Sequence, residues 1–190
     1  MAVLHARLWM CCVVVVPFAL ASAQDTPPAC IAQGTPEFQA TRPSPLDSLT
    51  FAIGGKTAKV CYSRPSVRGR MVFDSLVQYG KAWRTGANEP TMIHLPVAAE
   101  IAGAKLAPGR YLIMTVPNAG DWQIVFNTTD AIDPARMLEN LVPVTTGTAK
   151  SERTDTHVEK MTIRAAGTPT PSELILEWEK TRVRIPIKAS

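Results

Sequence analysis

From Leu46 onward the chain is written in short runs with a period of two, each closed by a turn residue. In "TMIHLP" Ile93 and Leu95 fall on one face, and in "WQIVFN" Trp122, Ile124 and Phe126 alternate against Gln123, Val125 and Asn127. Successive side chains of a strand point to opposite faces, so this spacing builds half-buried strands and not amphipathic helices. "LTFAIGGKTAKVCYS" reads as two such runs joined at Gly54-Gly55, a tight-hairpin signal. "AGAKLAPGRY", "RYLIMTV", "HVEKMTIR", "ELILEWE" and "RVRIPI" continue the pattern, with Pro108-Gly109 the strongest turn. Eight to nine short strands predict an all-β domain, an antiparallel β-sandwich or barrel-like sandwich. The exception is "DPARMLENL", where Asp133 can cap a helix and Pro134 fits its first turn. One short helix is therefore expected near 133–141. The 16 prolines and 6% aromatic content suit such a turn-rich domain better than a helical bundle.

The first 23 residues have a different grammar. "MAVLHAR" ends in a positive charge, "LWMCCVVVVPFALA" is 14 residues without a charge, and small residues follow at Ala21-Ser22-Ala23. Together these predict a secretory signal, residues 1–23, cleaved before Gln24. The apolar run is short of the roughly 20 residues a spanning helix needs, so no transmembrane segment is expected after cleavage. The expected location is secreted or periplasmic. Residues 24–45, with "DTPPAC", "GTPEF" and "RPSP", read as an irregular linker, and 46–190 as a single β-sandwich domain. Cys11 and Cys12 leave with the signal, and the mature chain keeps Cys30 and Cys61. Two thiols in an oxidising compartment predict one bridge.

Lys and Arg number 20 against 16 acids, and the loss of Arg7 with the signal leaves a mature net charge of +3. That mild balance, without a nucleic-acid-binding motif, excludes nucleic acid as the expected partner. The charge is unevenly spread, however. Between residues 64 and 84 stand Arg64, Arg68, Arg70, Lys81 and Arg84 against the single acid Asp74. Arginine forks recognise carboxylates and phosphates in a bidentate manner, and Trp83 beside Arg84 offers a stacking face. Asn88 and Glu89 close the same loop, "GKAWRTGANEPT", whose Pro90 should stand at or before the start of the next strand. Two readings are open. The cluster forms a site for a small or extended ligand, anionic or carbohydrate-like. Alternatively the arginines pair with internal carboxylates and Trp83 fills the core, both common devices of a fold. Glu159 shares a strand face with Met161 and Ile163, so it should point inward and need a partner. Arg84 is the expected partner of Glu159, with Glu89 as second choice.

Catalytic signatures are sparse. No "GxSxG" elbow occurs, no phosphate-binding glycine loop follows Gly54-Gly55, and only His94 and His157 remain after the signal. No metal and no cofactor are expected.

"YSRPSVRGR", "YGKAWRTGANEPT", the "G-K-L-x-P-G-x-Y" pattern around Gly103 to Tyr111, "WQIVFN" and the "LEWEKTRVRIPI" tail resemble the bacterial family called domain of unknown function 2911. The resemblance spans about Leu46 to Ile187. It implies an exported, β-rich bacterial protein and carries over no catalytic residue. The expected function is a non-catalytic binding or envelope-associated module acting through the Trp/Arg loop. A hydrolase with Glu89 or Glu159 as acid/base, and a purely structural role for the motif, are the alternatives. Concavity discriminates among them, because a binding site or an enzyme needs these residues to line a cleft.

Overall fold

The structure, a computed structural model, describes residues 26–129 and 136–190. The signal segment lies outside the described residues, as do the first residues of the expected helix. Residues 136–140 form a turn instead of helix. A single bond from the Glu139 amide to the Arg136 carbonyl (2.9 Å) closes it. The helix of the described chain is α1, Pro36–Thr41, inside the segment read as irregular. Thr35 caps it by accepting from the Phe38 amide at 3.4 Å, and Pro36 starts it. α1 buries none of its residues, so it leaves no apolar period in the sequence.

Nine strands follow: β1 (Leu46–Ile53), β2 (Lys56–Ser63), β3 (Thr91–Leu95), β4 (Ala99–Ile101), β5 (Ala104–Leu106), β6 (Gly109–Val116), β7 (Trp122–Thr128), β8 (Val142–Ala166) and β9 (Glu173–Ala189). All pairs are antiparallel. They form one sheet in the order β1-β2-β3-β6-β7-β8-β9-β4-β5. Gly54 and Gly55 have φ of 54° and 75°, the positive pair that a mirror-image hairpin turn demands. Pro90 stands immediately before β3, as expected from its missing N–H.

The two long strands fold the sheet over itself. "ELILEWE" and "RVRIPI" merge into β9, and Glu179, at φ 55°, marks the bend between them. Leu174, Leu176 and Trp178 are buried before it, and Val183, Ile185 and Ile187 after it. The inward set has thus moved from even to odd positions. β8 slips register against β9 between Arg153 and Val158 and again between Val158 and Thr162, as β-bulges do when they bend a strand. Within the second slip β8 meets the segment following β2. Ser66 bridges Lys160, the Val67 amide donates to the Glu159 carbonyl at 2.8 Å, and the Met161 amide donates to the Pro65 carbonyl at 2.9 Å.

One large core results, to which Val60, Ile93, Ile124, Phe126, Leu176 and Trp178 all contribute. Each such side chain stabilises by about 1.5–3 kcal/mol on burial. Met92, Leu112 and Met137 form a smaller cluster with half-buried Ile31 and Leu141. Among the described residues no helix is long and apolar enough to cross a membrane.

Candidate functional site

The loop from Gly80 to Pro90 crosses between β6 and the end of β2. Trp83 and Thr115 exchange both main-chain bonds (2.7 and 2.8 Å), and the Thr91 amide donates to the Arg84 carbonyl at 3.0 Å. Between these anchors Thr85 and Asn88 both take φ of 57°, a costly conformation for a β-branched residue. Side chains hold it. The Thr85 hydroxyl bonds the Ile113 carbonyl (3.1 Å) and the Thr115 hydroxyl (3.2 Å), and Thr91 Oγ1 donates to the Thr85 carbonyl at 2.6 Å. Gly86 packs closely, and a Cβ there would lie a tight 3.1 Å from the Ser63 carbonyl oxygen.

Glu89, at the far end of the loop, is 3% exposed and accepts three bonds. Arg42 Nη1 donates to Oε1 at 2.7 Å, the Gln33 amide donates to the same oxygen at 2.5 Å, and the Ser63 hydroxyl donates to Oε2 at 2.7 Å. Burial opposes ionisation, but the Arg42 guanidinium and the two further donors outweigh it and hold the carboxyl below its usual range. Arg42 is 5% exposed. The Cys30–Cys61 disulfide forms as expected, with Cα atoms 5.7 Å apart, and ties the same leader to β2. The leader is thus bound at Cys30, Gln33 and Arg42, against an expected tether at Cys30 alone.

Arg84 does not meet a carboxylate, contrary to expectation. Its Nη1 donates to the Asn88 carbonyl at 2.7 Å, which shapes the loop from within. Glu89 has Arg42 instead. Glu159 does not point inward either, and its side chain is 52% exposed. It accepts from the Arg68 amide (2.9 Å) and lies 3.3 Å from His157 Nε2. The Arg68 amide and His157 hold its carboxyl below the usual range. The bulge between Val158 and Thr162 breaks the face that Glu159 was expected to share with Met161 and Ile163, both of which are buried.

The remaining arginines divide by role. Arg64 bonds the Met161 carbonyl (3.0 Å), Thr162 Oγ1 (2.9 Å) and Asp47 (3.3 Å), tying β2 to β8. Arg68 reaches the Pro43 carbonyl at 3.5 Å. Arg70 holds the Val67 and Ser66 carbonyls at 3.0 and 2.8 Å.

Arg70, Arg84, Trp83 and Asn88 line one pocket of about 420 Å³, together with Leu76 and Trp178. A second hollow of about 220 Å³ shares Leu76, Val77 and Trp83 with it and adds Lys81. Among the described residues no Asp or Glu lines either one. Among the described residues Arg70, Lys81 and Arg84 have no carboxylate partner. The wall is aromatic. Trp83 stacks on Trp178 at 5.7 Å between ring centroids, and Phe73 sets its edge against both, at 6.3 and 6.0 Å. Trp83 is half-buried, and its indole N–H donates to the Gly86 carbonyl at 3.0 Å. That of Trp178 is buried and has no acceptor among the described residues.

Of the sequence-predicted candidates, Arg70, Trp83, Arg84 and Asn88 therefore come together at the pocket. Arg64, Arg68, Glu89 and Glu159 do not. Arg42, Ser63, Leu76 and Trp178 were not anticipated. Trp178 carried a signal, because it continues the alternation of Leu174 and Leu176. Arg42 carried none, being a lone cation in a proline-rich stretch.

A nine-stranded antiparallel sheet presenting a cationic, tryptophan-walled pocket is the class of structure these features define. The family described as Protein of unknown function (DUF2911) matches residues 44–187, and the chain belongs to that family. No curated protein and no solved structure matches the chain. Every residue lining the pocket falls inside the matched span, whereas Cys30, Gln33 and Arg42 lie before it.

Proposed function

We propose that this is an exported, non-catalytic binding module whose ligand sits in the pocket over Trp83 and Arg84. One observation carries the reading. Arg84, Arg70 and Lys81, none with a carboxylate partner among the described residues, line two hollows that share Leu76, Val77 and Trp83. Ligand pockets have this composition: apolar and aromatic walls with a few convergent polar groups. The disulfide supports an oxidising compartment, secreted or periplasmic. The hydrolase alternative is disfavoured by geometry. Glu89 is engaged by Arg42 and Ser63, and Glu159 does not line the pocket.

A thermal-shift screen of small carboxylates, phosphates and sugars tests the reading. A true ligand raises the melting midpoint by mass action, and Arg84→Ala removes that rise. Stabilisers that act equally on wild type and Arg84→Ala would contradict a site at Arg84.

A further inference from the structure

We infer that the ligand is an amphipathic anion: a carboxylate or phosphate head held at Arg84 and Arg70, with an apolar chain lying across Trp83 and Leu76. This inference rests on the pocket being the binding site and adds the chemistry of what fills it.

The lining carries the inference. A guanidinium or ammonium donates hydrogen bonds and accepts none, and no carboxylate lies in either hollow. On such a wall a sugar's hydroxyl donors would meet only the neutral acceptors of Ser44, Asn88 and Gln78. An ionised head group only accepts, and matches it. Both guanidiniums are already oriented by the protein, Arg84 through the Asn88 carbonyl and Arg70 through those of Val67 and Ser66. Little side-chain freedom is then left to lose on binding.

The second half of the pattern is apolar and elongated. The two hollows share Leu76, Val77 and Trp83, so both open beside the same apolar side chains. Leu76 is 48% exposed and Met71, on the same segment, 63% exposed. Exposed aliphatic side chains beside an opening mark a binding surface for apolar matter. Lys81 lines the smaller hollow and adds to the positive potential.

The free acid and the head group of a larger lipid share this chemistry, and a titration separates them. The three indole N–H signals of the mature, ¹⁵N-labelled protein are followed with acetate, octanoate, decanoate, decanol, maltose and a single-chain decanoyl phospholipid. Decanoate should shift the signals of Trp83 and Trp178 in a saturable way. That of Trp122, bonded to the Asn118 carbonyl, should stay in place. Octanoate should bind about tenfold more weakly than decanoate, from the loss of two methylenes. Arg84→Ala should weaken decanoate about tenfold or more. Binding of decanoate tighter than the phospholipid assigns the free acid, and the reverse order assigns the head group. Decanol binding as tightly as decanoate would overturn the anionic head. Acetate binding as tightly as decanoate would overturn the chain. Maltose moving the same two signals while decanoate does not would overturn the amphipathic anion and leave the pocket standing. No shift with any of the six, together with a screen lacking any Arg84-dependent stabiliser, would overturn both.

Discussion

The two ends of "GKAWRTGANEPT" meet opposite fates. Glu89, near its C-terminal end, is a carboxylate sealed from water, with Arg42, Ser63 and the Gln33 amide on its oxygens. Arg84, five residues earlier in the same loop, faces a pocket without any carboxylate. A buried charge is tolerated only when paired, and breaking the pair is costly. An accessible guanidinium keeps its water and needs no partner. The difference separates the part of the loop that holds the domain together from the part available to a ligand. Glu89 and Arg84 both lie within the span matched by the family, whereas Arg42 and Gln33, which hold Glu89, precede it.

The sharpest way to break the comparison is to remove Arg42. Arg42→Ala strands the Glu89 carboxylate in the interior and should destabilise by about 3–5 kcal/mol, read by chemical denaturation. A loss under about 1 kcal/mol would mean that Glu89 is not held as described.

Next in size is the disulfide. The bridge spans a sequence separation of 31, so replacing both Cys30 and Cys61 by serine should cost about 3–4 kcal/mol by loop-closure entropy. Denaturation of the double variant beside the wild type checks this, and an unchanged midpoint would leave the leader with no such role.

The pH dependence should be smaller and of definite sign. The folded carboxyl of Glu89 titrates below its unfolded value, so the unfolded chain takes up the proton first as pH falls. The stabilisation is then complete above the unfolded value of about 4.3–4.5 and is lost as pH falls through the folded one. Glu89→Gln should lower stability at pH 7 and flatten the decline below pH 5. A decline as steep as that of the wild type would place the responsible group elsewhere.

At the other end of the loop, Arg84→Ala should cost under about 1 kcal/mol. It removes one hydrogen bond to the half-buried Asn88 carbonyl, which water can replace.

Much of the fold was legible because strand signals are local. The inward faces of Ile93 with Leu95 and of Trp122, Ile124 and Phe126, the Gly54-Gly55 hairpin and the position of Pro90 all follow from spacing or backbone chemistry within a few residues. Loss of phase is what defeated the reading of Glu159. Period two assigns a face only while the register holds, and β8 slips between Val158 and Thr162. Glu179, with φ of 55°, reverses the inward set of β9 in the same way, although nothing about a glutamate announces a left-handed residue. The expected helix near 133–141 rested on a cap at Asp133 and a proline at 134, both outside the described residues, and 136–140 form a turn. At the site, Trp83, Arg84, Arg70 and Asn88 were recognisable as a dense cluster of binding-type residues. Their division from Glu89 was not, because it depends on Arg42, which is 47 residues away and joined to it only by the fold.

If Arg84 serves a ligand while Arg42 serves the fold, removing each should affect the ligand-free protein very differently. The most direct test is the melting midpoint of Arg84→Ala beside wild type and Arg42→Ala, all without ligand. Arg84→Ala should melt within about 4 °C of wild type and Arg42→Ala about 10 °C or more below it. A midpoint for Arg84→Ala as low as that of Arg42→Ala would contradict it and make the whole loop scaffolding.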